Sequence, residues 1–365
     1  MVFPETVVFD FVLMRLAEEV AGAPPKNADP MPCDRWVARS CLQKAIRRGE
    51  TQIALRSLAT LLKEDRRSVW RHLIVIALED VSLADIGTVQ EVVAAGRNQS
   101  WRQERGGDWA IASFLVRKMC EGSHCQAVCD LLLCVLNRPS LEEARAKELA
   151  ADVHTLIRRI EDQSEPLEAR AVAALALGGE LPSGRLRDTE LLFSVLPRDG
   201  DSDAIIATCR AAWTSSRNPM ALLLPLVRQS PSFHKNWVVE DPIPAMQMVK
   251  GIPCFALDQF TRIGNAASRA YLAEDDELIC LFQSAGVPRA AFGRTLGDVL
   301  FLLEGGRAVR RHTWAPIEEL RRPARWLPAV AKLGHNLRAI LAHCEAKAPN
   351  ITSARARAYL START

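Results

Sequence analysis

The sequence predicts an all-α fold, a multi-helical bundle in two domains, and three observations carry that expectation. Apolar residues recur at i, i+3, i+4 and i+7 along most of the chain. Only 6% of its 365 residues are aromatic, while Ala, Leu, Arg and Glu are abundant, a balance that favours helix over sheet. Proline and glycine fall mainly between the periodic runs, where they stop helices.

Residues 5–20 read as an amphipathic helix with Val8, Phe11, Val12, Leu16 and Val20 packed on the body. The run AGAPPKNADPMP at 21–32 is a linker, so 1–30 is taken as an N-terminal helix and linker. From Ala38, residues Cys41, Leu42, Ala45 and Ile46 share one face, and Arg39, Gln43, Lys44, Arg47 and Arg48 point the other way; Gly49 ends the helix. Ala54, Leu58, Leu61 and Leu62 form the next helical face. The stretch 68–80, apolar all round at 73–78, is expected as a central helix rather than a strand. Asp85 then caps a helix through Ala95.

Residues 101–108 form a polar break. Helices follow around Ala112–Met119, at 123–136, as one long element from Ser140 to about Ile160, and at 168–177. The glycine-rich run 178–184 marks the domain boundary, giving domains 31–180 and 181–365. The second domain contains helices at 188–196, 202–215 and 219–229, an ordered loop at 230–253, a helix faced by Phe260, Ile263, Ala267, Ala270 and Tyr271, a short helix at 293–304, and a long one at 327–344.

Hydrophobic residues make up 48% and charged residues 25% of the chain, and no apolar run reaches the length of a membrane span. Ten sparse cysteines and no signal-like N-terminus point to a reducing cytoplasm. Net charge is +4, but from Ala291 onward 13 Lys/Arg stand against 5 Asp/Glu, so the C-terminal part is distinctly basic.

Residues Ile46, Arg47, Ala54, Leu55, Leu58, Ala59, Arg71, Leu73, Ala77, Glu79, Asp80, Leu83, Ala84 and Asp85 match a spaced pattern. On these residues the run 36–96, about a sixth of the chain, resembles the C-terminal helical region of the bacterial replication-associated recombination ATPases, relatives of the Werner-helicase-interacting ATPase and of clamp loaders. The resemblance implies a clamp-loader-collar-like first domain, a bacterial setting, and self-association or docking of a replication or repair protein through Arg47, Arg71, Glu79, Asp80 and Asp85. It departs from the family in one respect that matters: no Gly-x-x-x-x-Gly-Lys-Ser/Thr occurs, so no phosphate cradle is expected.

Four constellations have chemistry within reach. Cys120, His124, Cys125, Cys129 and Cys134 are soft metal ligands, but they lack a Cys-x-x-Cys knuckle and lie in an apolar run, so packing is expected and no metal or other cofactor. Glu79 and Asp80 point about 100° apart on a helix and are read as closing it, with Arg47 or Arg71 as partner. Asp258, Thr261 and Arg262 are the candidate ligand or enzyme site, with Asp258 and Arg262 forming an i,i+4 pair. Arg307, Arg310, Arg311, Trp314, Arg321, Arg322 and Arg325 are the candidate DNA-binding set, arginines for phosphates beside an aromatic for unpaired bases. The leading expectation is a non-catalytic interaction or oligomerisation module in DNA replication, repair or mobile-element maintenance. A nucleic-acid-binding protein and a helical enzyme are the alternatives.

Overall fold

In a computed structural model, residues 5–23, 27–182, 188–196, 202–321, 330 and 332–362 are described. They form an all-α, multi-helical bundle, 74% helix with almost no sheet. The helices are α1 (Glu5–Ala21), α2 (Arg35–Arg47), α3 (Thr51–Glu64), α4 (Arg66–Ile76), α5 (Ile86–Arg97), α6 (Gln99–Glu104), α7 (Gly107–Glu121), α8 (Ala127–Asn137), α9 (Glu142–Ala150) and α10 (Val153–Glu161). They continue with α11 (Leu167–Gly178), α12 (Thr189–Val195), α13 (Ser202–Ser216), α14 (Met220–Arg228), α15 (Arg262–Leu272), α16 (Asp276–Ser284), α17 (Phe292–Leu300), α18 (Ala315–Leu320), α19 (Leu337–Ala346) and α20 (Ala348–Thr362). Two-stranded antiparallel pairings join β1 (Trp237–Val239) to β4 (Arg311–Thr313) and β2 (Met248–Val249) to β3 (Ile252–Pro253).

The chain forms two compact units, and they do not follow the expected 31–180 and 181–365 division. The first comprises 1–26, 67–239 and 310–322, and the second 27–66, 240–309 and 323–365. The run 36–96 is therefore divided, with α2 and α3 in the second unit and α4 and α5 in the first. Long-range partners set this division: α2 belongs with residues near 258 and 305, which no local pattern reveals.

In the first unit, α11 is the central element. Ala171 to Leu177 are almost wholly buried, and α8, α9, α10 and α14 pack around it. The stretch 68–80 is helical as expected, but α4 passes into a π-turn at Ala77–Val81. Asp85 caps α5, accepting from Thr88 N at 3.0 Å. The expected long helix from Ser140 breaks because Asp152 caps α10, accepting from Thr155 N at 2.9 Å. The expected polar break at 101–108 is instead partly α6, since Arg102 and Asp108 are buried as a 2.7 Å ion pair. The face of α1 is also offset from expectation: Val12, Leu13 and Leu16 are buried, whereas Phe11 is exposed.

The second unit pairs α2 with α3 and α15 with α20. Tyr271, Leu278, Phe282, Phe292, Leu296 and Ile340 anchor its core. Asp34 starts α2 by accepting from Trp36 N and Val37 N. Gly49, at φ 71°, makes the turn into α3. Part of the predicted helix 327–344 lies outside the described residues. The remainder is a 3-10 turn at Gly334–Asn336 leading into α19, with Gly334 at φ 50°.

Candidate functional site

The basic side of α2, opposite its apolar face in the sequence pattern, is largely buried within the second unit. Lys44, Arg47 and Arg48 are 4%, 2% and 5% exposed. Lys44 Nζ meets Asp258 at 2.7 Å. Arg47 Nη1 donates to Gly305 O at 2.8 Å. Arg48 Nη1 donates to Glu304 O at 3.0 Å and Nη2 to Pro244 O at 2.8 Å.

Each cation also lies over a ring: Lys44 over Phe260, Arg47 over Phe301, and Arg48 over Phe255 at 4.7 Å. A cation over an aromatic face recovers part of the electrostatic stabilisation lost with water. Arg355, wholly buried, binds Glu304 through two parallel bonds of 2.9 and 2.8 Å. Burial pulls the Arg355 guanidinium down, but the Glu304 carboxylate more than offsets this and its pKa is raised. Arg48 shows the opposite balance, lowered by burial against weaker attraction from Glu50 and Glu304.

Gly305 O, which receives Arg47, and Glu304 O, one of the two carbonyls that receive Arg48, come from a π-turn, Phe301–Gly305, at the end of α17. A π-turn frees carbonyls from the helical ladder, so these two are open to donors from α2. Sequence reasoning missed Lys44, Arg48, Glu304 and Arg355. The one local signal was the crowding of three cations into the last turn of α2.

The predicted site residues are distributed as follows. Asp258 is buried and bound to Lys44; Arg262 is exposed and opens α15, so the expected Asp258–Arg262 pair gives way to Lys44. Thr261 caps α15, accepting from Gly264 N at 3.0 Å, and its hydroxyl donates to Asp258 O. A side chain at Gly264 would put its Cβ 1.9 Å from that carbonyl, so glycine is required there.

Among the residues singled out by the resemblance, Arg71 Nε donates to Ser216 O at 3.2 Å. Asp80 is fully buried; its side chain accepts from Gln126 and its carbonyl from Cys125 N. Glu79 is half-buried within the same π-turn.

In the basic set, Arg310 Nη2 donates to the carbonyls of Glu121 and Gly122 at the end of α7. Arg311 is buried against Glu318 at 2.7 Å, and Arg321 donates to Gln126 Oε1 at 2.7 Å. Trp314 is wholly buried with its ring edge-on to Phe233, so it offers no face to a base. Arg307 is half-buried in the second unit, while Arg322 and Arg325 lie outside the described residues.

Cys120, Cys125, Cys134 and His124 are buried, and burial pushes the Cys125 thiol up to about 11. His124 continues the β-ribbon: its N–H donates to Arg310 O and its carbonyl accepts from His312 N. Among the described residues, no group of three or more His, Cys, Asp or Glu is placed to hold a metal ion.

No family model, curated protein or solved structure matches this chain. Among the described residues, no helix is long and apolar enough to cross a membrane.

Proposed function

We propose that this chain is a non-catalytic helical module that assembles with a second copy of itself through α1. The observation that carries the reading is a stripe on that helix: Val7, Phe11 and Met14 are 49%, 61% and 56% exposed. They lie at i, i+4 and i+7, opposite the buried Val12, Leu13 and Leu16. The stripe extends four residues before Phe11 and three after it. An antiparallel copy related by a twofold axis at Phe11 therefore sets Val7 against Met14 and ring against ring, as an isologous contact requires.

The resemblance of 36–96 to a collar region supports assembly as the role and DNA replication, repair or mobile-element maintenance as the process. A cytoplasmic setting belongs to the same reading, supported by ten free cysteines. The engagement of Asp258 by Lys44 favours a structural over a catalytic role for that residue.

The test is mass measurement by light scattering and sedimentation. The wild-type chain is expected to run as a dimer at micromolar concentration. Phe11→Glu with Met14→Glu is expected to run as a monomer of unchanged helicity, since neither side chain is buried. A wild-type monomer across the concentration range sinks the reading.

A further inference from the structure

Within the second unit, residues 244–247, 254–255, 300, 303 and 304 and the junction of α19 with α20 line a partly open cavity of about 270 Å3. Phe255, Leu300, Leu303 and Ile351 give it an apolar wall, and Arg48 brings a guanidinium to it. Arg48 is 95% buried by its 5% exposure, and each terminal nitrogen donates one of its two N–H groups to a backbone carbonyl. Its Nε is buried without a hydrogen-bond partner among the described residues. No ion pair joins it to a described carboxylate, because Glu304, the acidic residue beside it, is held by both nitrogens of Arg355.

A buried cation that gives only two of its five N–H groups to carbonyls retains a strong preference for a negative partner. The partner's charge is limited as well. Glu304 and Glu345 also line the cavity, so a dianion such as phosphate meets repulsion that a single carboxylate largely escapes. An apolar body is required by the wall, because a wholly polar ligand would lose its hydration without replacement.

We propose that this cavity binds a small organic monocarboxylate with an apolar body, its carboxylate received by Arg48 and its chain lying between Phe255 and Leu303. The site is separate from the α1 stripe, and its test reads ligand binding rather than assembly.

The experiment is calorimetric titration of the full chain with hexanoate and with hexanamide, which share a chain and differ in charge. Hexanoate is expected to bind at least about tenfold more tightly than the amide. Arg48→Met, which keeps length but removes charge, is expected to erase that preference while helicity by circular dichroism is retained. Leu303→Trp, which fills the cavity and leaves Arg48 in place, is expected to abolish binding of both, and it serves if Arg48→Met does not fold. Equal binding of acid and amide, no detectable binding of either to the wild-type chain, or displacement of hexanoate by inorganic phosphate would each overturn the proposal.

Discussion

Lys44 and Asp258 meet at 2.7 Å with side chains 6% and 4% exposed, so each is the other's replacement for water. Removing one member of such a pair leaves an uncompensated buried charge, which typically costs about 3–5 kcal/mol. Asp258→Ala is therefore expected to lower stability by about 3 kcal/mol in denaturant melts, and adding Lys44→Met is expected to restore much of that loss. Ser82 stores strain in the opposite sense. Its backbone sits at φ 45°, ψ −126°, and its buried hydroxyl has no hydrogen-bond partner among the described residues. Glycine adopts that conformation freely, so Ser82→Gly is expected to stabilise by about 1 kcal/mol, read as a raised denaturation midpoint. The Asp85 cap was legible because its partner, Thr88, lies three residues away. Lys44 was misread as outward because its partner is far along the chain, and periodicity cannot see a carboxylate that arrives from another element.

Two helices end in π-turns, α4 at Ala77–Val81 and α17 at Phe301–Gly305, and in both the widened turn presents a carbonyl to a distant donor. Asp80 O takes Cys125 N at 2.8 Å, and Gly305 O takes Arg47. A Cβ at Gly305 would meet Lys44 Cε at 2.9 Å and Phe301 Cδ2 at 3.1 Å. Gly305→Ala is thus expected to cost about 1–3 kcal/mol in the second unit, checked by hydrogen exchange in α2 and α17. The apolar run 73–78 is legible as helix from the face Val69, Trp70, Leu73, Ile76 and Ala77, although the helix starts at Arg66 rather than at a Ser68 cap, and the change to π geometry has no local signature. The helices α16 and α20 went unassigned. Asp275 caps α16 through Leu278 N in a stretch whose acidic residues masked the start signal, and α20 carries an alternation of Ala and Arg that reads as surface until Arg355 is seen buried.

At the scale of the molecule, the all-α class followed from composition and period, whereas the division into units did not. Each unit is assembled from three separate stretches, and the choice of α2 for the second unit is made by Asp258, Glu304 and Gly305. Each unit also holds a carboxylate whose pKa is depressed. In the second unit, burial raises Asp275, but hydrogen bonds from Tyr271 and His343 outweigh it. In the first, burial raises Glu318, but Thr313 and Arg311 bring it below the usual range. A depressed folded-state pKa contributes stability that is complete above the unfolded value, about 4, and is lost as pH falls through the folded one. Both units are expected to lose stability below about pH 4, and Asp275→Asn is expected to flatten that acid dependence for the second unit alone, followed by tryptophan-independent probes such as site-resolved exchange.

The concealment of Lys44 beneath Asp258 has a practical corollary. An amine-acylating reagent applied to the native chain will spare this lysine while modifying its exposed counterparts, and will reach it only when the second unit opens. The rate at which mass spectrometry finds Lys44 acylated is thus a built-in clock for that opening, requiring no engineered reporter.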